Sequence, residues 1–340
     1  LEHGHTLATI MNDAPIHQWD SNAGIAWRPK NSPAVYDGPI RVREALAKSK
    51  NVVSVRLLRA VGIDNIITHL QRFGFTPSDL PRNETLSLGS ASLTPLELVT
   101  GYAVFANGGR AIRMKHIVSI KDRNGNQVTV PSADQNWVSE DKVENEKVVT
   151  QPMPEEGESL EAKPFENPFL KDLGPVQVYD KRLSYIMTNL LNGVTLHGTG
   201  RKVSKISKNI AAKTGTTNNY VDALFVGYTS HIVVGAWAGF DDNRTLGYGE
   251  TGGKTTIPIF MDYIEQTIER YGDSPFVVPQ GITTMTVDKE TGRPISAGSL
   301  DGFMEAFVTG TEPDTTEPIF EKKDQDSGVS VEDDEYFKNL

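Results

Sequence analysis

The segment Lys213-Thr214-Gly215-Thr216-Thr217 carries the residue types best suited to chemistry on a carbonyl group. A lysine beside hydroxyls and an open backbone N–H can hold a carboxylate and polarise a carbonyl oxygen. Gly215 interrupts a short strand pattern, and a glycine inside a strand indicates that a ligand or another backbone approaches closely. Taken alone, the segment also fits an ordinary strand end before a turn at Asn218-Asn219.

The tripeptide Ser49-Lys50-Asn51 is a second candidate for chemistry. The Ser49 hydroxyl can relay a proton between a nucleophile and a leaving amine. Asn51 offers both a donor and an acceptor to a substrate amide. Without further context, the tripeptide is more typical of a solvated turn between two helices.

The two segments together suggest a division of tasks. Lys213 attracts a substrate carboxylate, and its charge disfavours protonation of a neighbouring lysine base. The hydroxyls of Thr214 and Thr216 can hold a terminal carboxylate, and the Thr216 N–H is a candidate oxyanion donor. The predicted substrate-binding residues are Thr214, Gly215, Thr216 and Thr217, and the predicted catalytic residues are Ser49, Asn51, Lys213 and Thr216.

Helical patterns surround both segments. Apolar residues at helical spacing predict helices over 64–73 and 257–270 and a long helix from 183 to about 198. Thr94-Pro95-Leu96-Glu97 predicts a capped helix start, because threonine caps, proline fits the first turn and glutamate reaches back. Gly38-Pro39 predicts the start of a helix that runs towards Ser49.

Strand patterns place the lysine segment in a sheet. Apolar runs at 221–229 and 232–240 predict two strands that pair antiparallel beside the Lys213 strand. Further hairpins are predicted around Arg123-Asn124-Gly125-Asn126 and around Thr291-Gly292, whereas residues 1–38 are predicted to be loop. Helices followed by strands and a late helix indicate an α+β fold.

Charge is unevenly distributed along the 340 residues, whose net charge is −10. Two segments, 131–175 and 311–340, hold 21 of the 44 acidic residues. We expect an acidic loop insertion at 131–175, a globular region over 1–310 and a disordered tail over 311–340. The sequence shows neither a basic patch for nucleic acid nor a basic membrane helix, and it contains no cysteine.

Several longer stretches carry a family resemblance. They resemble the transpeptidase domain of class A penicillin-binding proteins over roughly residues 1–310. The stretches are Trp27-Arg28-Pro29-Lys30-Asn31, 38–51, Leu88-Gly89-Ser90 with Thr94-Pro95, Phe105-Ala106-Asn107-Gly108-Gly109, His197-Gly198-Thr199-Gly200, and 212–217 followed by 222–228. In combination they are far more specific than either short motif.

The resemblance implies a fold and an activity. The implied fold is the penicillin-binding and serine β-lactamase-like fold, a five-stranded antiparallel sheet with helices on one side and a helical subdomain carrying Ser49. The implied reaction is D,D-transpeptidation, in which serine acyl transfer cross-links peptidoglycan stem peptides and β-lactams acylate the same serine. No metal or organic cofactor is implied. The implied location is the periplasmic face of the bacterial inner membrane, and homo-oligomers and cell-wall regulatory proteins are further partners left open.

One expected motif departs from the family pattern. The family's nucleophile is the serine of Ser-x-x-Lys, ahead of Ser-x-Asn, whereas the match here is Ser139-Glu140-Asp141-Lys142. Its carboxylates would keep Lys142 protonated, which is unsuitable for a base. Residues 1–10 resemble the family's stretch just after the nucleophile helix. The resemblance therefore implies that the chain begins after its nucleophile, and that the family's glycosyltransferase domain and membrane anchor lie upstream.

Two other functions remain open. A serine β-lactamase or D,D-carboxypeptidase shares the short motifs, although the stretches around Thr94-Pro95 and His197-Gly198 argue against it. A non-catalytic module that binds peptidoglycan or β-lactams also fits, because half of a catalytic group binds without turnover. Gly252-Gly253-Lys254-Thr255 lacks the first glycine of a phosphate loop, and the scattered histidines do not suggest a metal site.

Overall fold

The computed structural model describes residues 1–16, 18–20, 25–112, 119–128 and 176–314. The chain divides into two compact units, one formed by 1–112 with 167–340 and the other by 113–166. The predicted acidic insertion at 131–175, Ser139 within it, and residues 315–340 of the predicted tail lie outside the described residues.

Six α-helices occur in the described residues. They are α1 (Val42–Ala47), α2 (Asn51–Val61), α3 (Ile63–Arg72), α4 (Pro95–Ala106), α5 (Lys181–His197) and α6 (Ile257–Tyr271). The predicted start of α4 is confirmed, because Thr94 accepts from the Glu97 N–H and the Glu97 carboxylate accepts from the Thr94 N–H. No helix within these ranges is both long and apolar enough to cross a bilayer.

Thirteen strands of the described residues form antiparallel ladders. They are β1 (Ile10–Asp13), β2 (Gln18–Asp20), β3 (Ile25–Trp27), β4 (Gly38–Arg41), β5 (Arg110–Ala111), β6 (Ile120–Lys121), β7 (Gln127–Val128), β8 (Val176–Gln177), β9 (Ala211–Thr216), β10 (Asp222–Tyr228), β11 (Val233–Gly239), β12 (Ile282–Asp288) and β13 (Gly302–Val308). The predicted hairpins β6–β7 and β12–β13 are both confirmed, and β6–β7 belongs to the 113–166 unit.

The predicted sheet around Lys213 is confirmed in its pairing. Strand β10 lies in the centre with β9 and β11 on its two sides, all antiparallel. In the described residues the sheet has three strands, and β12–β13 forms a separate ladder, so the implied five-stranded sheet is not continuous. Strand β9 is therefore an edge strand, with one side of its backbone available to other groups.

Helices cover both faces of this sheet, not one as the resemblance implied. On one face, Ala212 and Phe225 pack with Phe260 and Ile264 of α6. On the other face, Ala211 and Tyr228 pack with Leu191 of α5. Because successive side chains of a strand point to opposite faces, two neighbouring alanines of β9 serve both interfaces. The strand that carries Lys213 is thus held rigidly between two helices.

The amino-terminal region corrects two predictions. Residues 1–38 were predicted as loop, but β1 pairs with β4 there, from Ile10 opposite Arg41 to Asp13 opposite Gly38. The helix predicted from Gly38-Pro39 begins at Val42 instead, after an extended Arg41. Pairing with a strand distant in sequence overrides the local helix signal in these residues. The outcome is a short helix, α1, that ends just before Ser49.

Candidate active site

Ser49 lies in a left-handed backbone conformation, with φ of 56°. Its N–H donates to the Leu46 carbonyl at 3.0 Å, and the Lys50 N–H donates to the Ala45 carbonyl at 2.8 Å. These two bonds form a Schellman motif at the end of α1, with Ser49 in the position where glycine is usual. A side chain in this conformation costs on the order of 1–2 kcal/mol, and such strain concentrates at functional sites.

Lys50 anchors this strained turn. Its ammonium contacts the carboxylates of Asp13 at 2.8 Å and Asp37 at 3.0 Å, and it donates to the Val35 carbonyl at 2.9 Å. Burial lowers the pKa of Lys50, but the hydrogen bonds to Asp13 and Asp37 outweigh that effect and the pKa is raised. Lys50, the middle residue of the Ser-x-Asn tripeptide, thus points into the protein, whereas the Ser49 hydroxyl points to Lys213.

Lys213 projects from β9 to the Ser49 turn. Its ammonium donates to Ser49 Oγ at 2.8 Å, to the Thr214 carbonyl at 2.9 Å and to Thr214 Oγ1 at 3.4 Å. Burial lowers the pKa of Lys213 to about 8. The lysine therefore joins the two predicted segments, and its charge is sensitive to pH near neutrality.

The remaining residues of the lysine segment have distinct surroundings. Thr214 Oγ1 is 2.9 Å from Thr199 Oγ1, and Thr216 Oγ1 accepts from the Gly252 N–H at 3.0 Å. Thr217 accepts from the Asp222 N–H at 2.7 Å, so its hydroxyl closes the turn to β10. Thr214 and Thr216 thus lie on one face of β9, where Thr214 contacts Thr199 and Thr216 contacts the Gly252 backbone, whereas the Thr217 hydroxyl has a mainly structural contact.

The backbone of Gly252 passes close to Gly215, an approach that requires glycine at 252, whereas a β-carbon on Gly215 would meet the Leu224 side chain at 3.3 Å. A β-carbon on Gly252 would lie 2.4 Å from the Gly215 carbonyl oxygen, so these two backbones pass in contact. The sequence predicted that a ligand or another backbone approaches Gly215, and the structure shows the second. Residues Gly252–Thr256 form a single π-helical turn that leads into α6.

The backbone of Thr216 faces away from the sheet. The Thr217 N–H donates to the Asp222 carbonyl at 3.0 Å, which marks that pair as hydrogen-bonded. Hydrogen-bonded and non-hydrogen-bonded pairs alternate along an antiparallel ladder, so the next pair, Thr216 with Ala223, is not bonded. The Thr216 N–H therefore points out from the free edge of β9, where an oxyanion donor would need to be.

Asn51 lies directly after the Ser49 turn. It is the first residue of α2, and its Nδ2 donates to the Lys30 carbonyl at 2.8 Å. This hydrogen bond runs to the loop that carries Lys30 and not to β9. The structure therefore brings Ser49 and Lys213 into contact and keeps Asn51 beside them on the helix that follows.

Sequence reasoning missed three supporting residues. Asp13 is fully buried and its Oδ2 forms an ion pair with Lys50. Asn31 Nδ2 donates to Asp13 Oδ1 at 2.7 Å. Thr199 contacts Thr214 and belongs to the stretch noticed only for its resemblance. An acidic residue in an apparent loop carried no visible signal, because its partner lies 37 positions away. No group of three or more metal-ligating side chains occurs in the part of the chain that the structure describes.

Comparison with known proteins places this geometry in a family. The family model for the penicillin-binding protein transpeptidase domain matches residues 2–157, which include Ser49 and Asn51. Penicillin-binding protein 1A of Pseudomonas aeruginosa is 36% identical over 324 residues, covering 92% of this chain and 39% of that protein. The protein of the same name from Escherichia coli is 34% identical over 355 residues, covering 92% of this chain and 42% of that protein.

Solved structures agree with the sequence comparisons. The crystal structure of penicillin-binding protein 1A from Haemophilus influenzae matches with a TM-score of 0.75 and 33% identity, covering 92% of this chain and 46% of that one. The chain thus spans about two fifths of the length of the curated relatives named above. It has the fold class predicted from its sequence, the α+β penicillin-binding fold. The chain therefore belongs to the family of penicillin-binding protein transpeptidase domains.

Proposed function

We propose that this chain is the transpeptidase part of a D,D-transpeptidase that cross-links peptidoglycan stem peptides and is a target of β-lactams. The observation that supports this most directly is the 2.8 Å hydrogen bond from Lys213 Nζ to Ser49 Oγ. It joins a proton-carrying hydroxyl to a cation beside a free strand edge, which is the arrangement that acyl transfer from a peptide needs.

The proposed reaction has two acyl-transfer steps. A serine hydroxyl attacks the carbonyl carbon of a D-Ala-D-Ala bond, an ester forms, and the departing D-alanine takes a proton at its amine. An amine of a neighbouring stem then attacks the ester, which forms a new amide and returns the proton to the serine. Neither step consumes an oxidant, a reductant or a cofactor.

Ser49 is the proposed proton relay between these groups. Since Lys213 donates to the Ser49 oxygen, the Ser49 hydrogen remains to be given to the leaving amine. The positive charge of Lys213 also stabilises the negative charge that develops on the Ser49 oxygen when its proton leaves. Asn51 is proposed to hold a substrate amide, which its carboxamide can do from the start of α2.

The strand edge is the proposed binding surface for the donor peptide. An extended peptide can pair with β9, because no other strand of the described residues pairs with β9 on the side away from β10. In that position the Thr216 N–H donates to the oxyanion, and the Thr214 and Thr216 hydroxyls hold the terminal carboxylate.

We propose further that the attacking serine lies outside these 340 residues. The Ser-x-x-Lys match in the sequence, Ser139 to Lys142, carries two acidic residues between serine and lysine. We place the site of action at the periplasmic face of the inner membrane, where stem peptides are found, with anchoring by a segment outside this chain.

Intact-mass spectrometry after incubation with benzylpenicillin tests both parts of the proposal. We expect no covalent adduct on the 340-residue chain and one penicilloyl adduct on the full-length protein, with the adduct mapped upstream of Leu1. Release of D-alanine with formation of a cross-linked dimer from stem peptides would separate transpeptidation from simple hydrolysis. An adduct on Ser49 or Ser139 would contradict the assignment of the nucleophile, and no adduct on the full-length protein would contradict the function.

A further inference from the structure

The turn that follows α5 connects the two sides of the candidate site. The Thr199 N–H donates to the carbonyl of Ala47, the last residue of α1, at 3.0 Å. A β-carbon on Gly198 would lie 2.2 Å from the same carbonyl oxygen, so this approach requires glycine. Thr199 is thereby placed against the helix end that carries Ser49, two residues further on.

The Thr199 side chain reaches the other side of the site. Its Oγ1 is 2.9 Å from Thr214 Oγ1 on β9, and Thr199 is exposed. A continuous row of polar atoms results, which runs from Ser49 Oγ through Lys213 Nζ and Thr214 Oγ1 to Thr199 Oγ1. Thr199 forms the solvent-facing end of this row.

The hydrogen bonds of Lys213 show which groups remain for an anion. An ammonium has three hydrogens, and three protein oxygens already accept from Lys213: Ser49 Oγ, the Thr214 carbonyl and Thr214 Oγ1. Lys213 therefore supplies positive charge, while hydrogen bonds to an incoming carboxylate must come from hydroxyl groups nearby. The hydrogen bond between the Thr199 and Thr214 hydroxyls uses one of their two hydrogens, so the other remains available to an incoming carboxylate.

We propose that the Thr199 hydroxyl contacts the substrate and selects for a free terminal carboxylate, together with Thr214. A carboxylate only accepts hydrogen bonds, so both threonine hydroxyls can turn their hydrogens towards its two oxygens. This proposal rests on the proposed function, and it adds a specificity residue from outside the lysine segment. It also gives a reason for the His197-Gly198-Thr199-Gly200 stretch, in which Gly198 permits the approach and Thr199 makes the contact.

Matched variants and matched ligands test the role of this hydroxyl. Thr199→Val removes the hydroxyl but keeps the shape and the N–H bond to Ala47, whereas Thr199→Ser keeps the hydroxyl. Acylation of the full-length protein is measured with benzylpenicillin and with its methyl ester, which lacks the carboxylate charge. Ser204→Ala, which removes a hydroxyl bonded to the Arg201 carbonyl in the next turn, is the control variant.

We expect Thr199→Val to slow acylation by benzylpenicillin, which carries the free carboxylate, and not acylation by the methyl ester. In Thr199→Val the acylation rate constant with benzylpenicillin should fall about tenfold or more, because a hydrogen bond to a charged group is lost. The rate with the methyl ester should change less than twofold, and Thr199→Ser and Ser204→Ala should resemble the wild type with both ligands.

Other outcomes distinguish a failure of the Thr199 proposal from a failure of the proposed function. An equal loss with acid and ester would assign Thr199 a structural role and overturn the contact, as would an unchanged rate in Thr199→Val. Absence of acylation in the wild-type full-length protein would instead contradict the proposed function, and with it this proposal.

Discussion

The Lys213 ammonium donates a 2.8 Å hydrogen bond to the Ser49 hydroxyl, although 164 positions separate the two residues. Each partner is constrained independently of this bond. Ser49 is held in a Schellman turn that Lys50 anchors from behind, and Lys213 extends from a strand packed between α5 and α6. Their contact therefore depends on rigid supports on both sides and does not rest on the bond alone.

Lys213 is predicted to titrate near pH 8. Burial disfavours its charged form and lowers the pKa to about 8, from the usual lysine value of 10.5. In ¹³C spectra of protein labelled in lysine, the Lys213 side-chain signal should titrate with a midpoint near pH 8. Lys213→Arg should remove that signal, and Lys208→Arg, at an exposed position, should leave it in place.

The lowered pKa also has a defined consequence for stability. The unfolded chain binds the Lys213 proton more tightly than the folded chain, so the free energy of unfolding rises with pH between about 8 and 10.5. Lys213→Met lacks this dependence, and the difference between wild type and variant should grow in favour of wild type over that range. A difference independent of pH, measured by urea unfolding at pH 7.5 and 10, would contradict the shift.

The left-handed backbone conformation of Ser49 is predicted to lower the stability of the folded protein. Ser49→Gly and Ser49→Ala both lose the hydroxyl, but only glycine adopts the observed φ of 56° without strain. We expect Ser49→Gly to be more stable than Ser49→Ala by about 1 kcal/mol in urea unfolding. Both variants should lose β-lactam acylation in the full-length protein.

Ser54 provides the control for this comparison. It lies inside α2, where glycine is less favourable than alanine by about 1 kcal/mol. The order of stability should therefore reverse, with Ser54→Ala above Ser54→Gly. If Ser49→Gly were instead the less stable of the Ser49 pair, the left-handed conformation would not be a source of strain.

Lys50 is predicted to matter more for stability than its neighbour Lys48. Lys50→Met would leave the fully buried Asp13 carboxylate without its cation, which typically costs about 3–5 kcal/mol. Lys48 is half exposed and pairs with Asp37 at 3.1 Å, so Lys48→Met should cost about 0–1 kcal/mol. Urea unfolding of both variants at pH 7 measures the two effects, and similar losses would contradict an anchoring role for Lys50.

Local signals made several parts of the structure readable from the sequence. The capping box at Thr94 and Glu97, the strands beside Lys213 and the long helix before Gly198 all depend on neighbours in the chain or on simple periodicity. The same reasoning was wrong at Gly38-Pro39, where β4 replaces the start of a helix. There the deciding partner was β1, which a local pattern does not reveal.

The candidate site, too, was only partly predictable from the sequence. Residue types suggested Ser49, Lys213 and the two threonines of the strand as candidates, because few side chains can relay a proton, carry a cation and bind a carboxylate. The family resemblance then favoured these residues over an ordinary turn and strand end. The sequence did not reveal that Ser49 occupies a glycine-type turn, that Asp13 receives Lys50, or that Thr199 meets Thr214. These depend on segments far apart in the chain, so only tertiary packing determines them.

The amino-acid sequence by itself determined the family, through several longer stretches that resemble it, and the α+β class, through the order of its helical and strand patterns. Only the tertiary structure decided which atoms meet. Ser49 Oγ reaches Lys213 Nζ because a strained turn and a buried ion pair direct one of them while two helices hold the other. Distances of this kind arise from the balance of packing, strain and desolvation over the whole fold, which no short stretch of sequence contains.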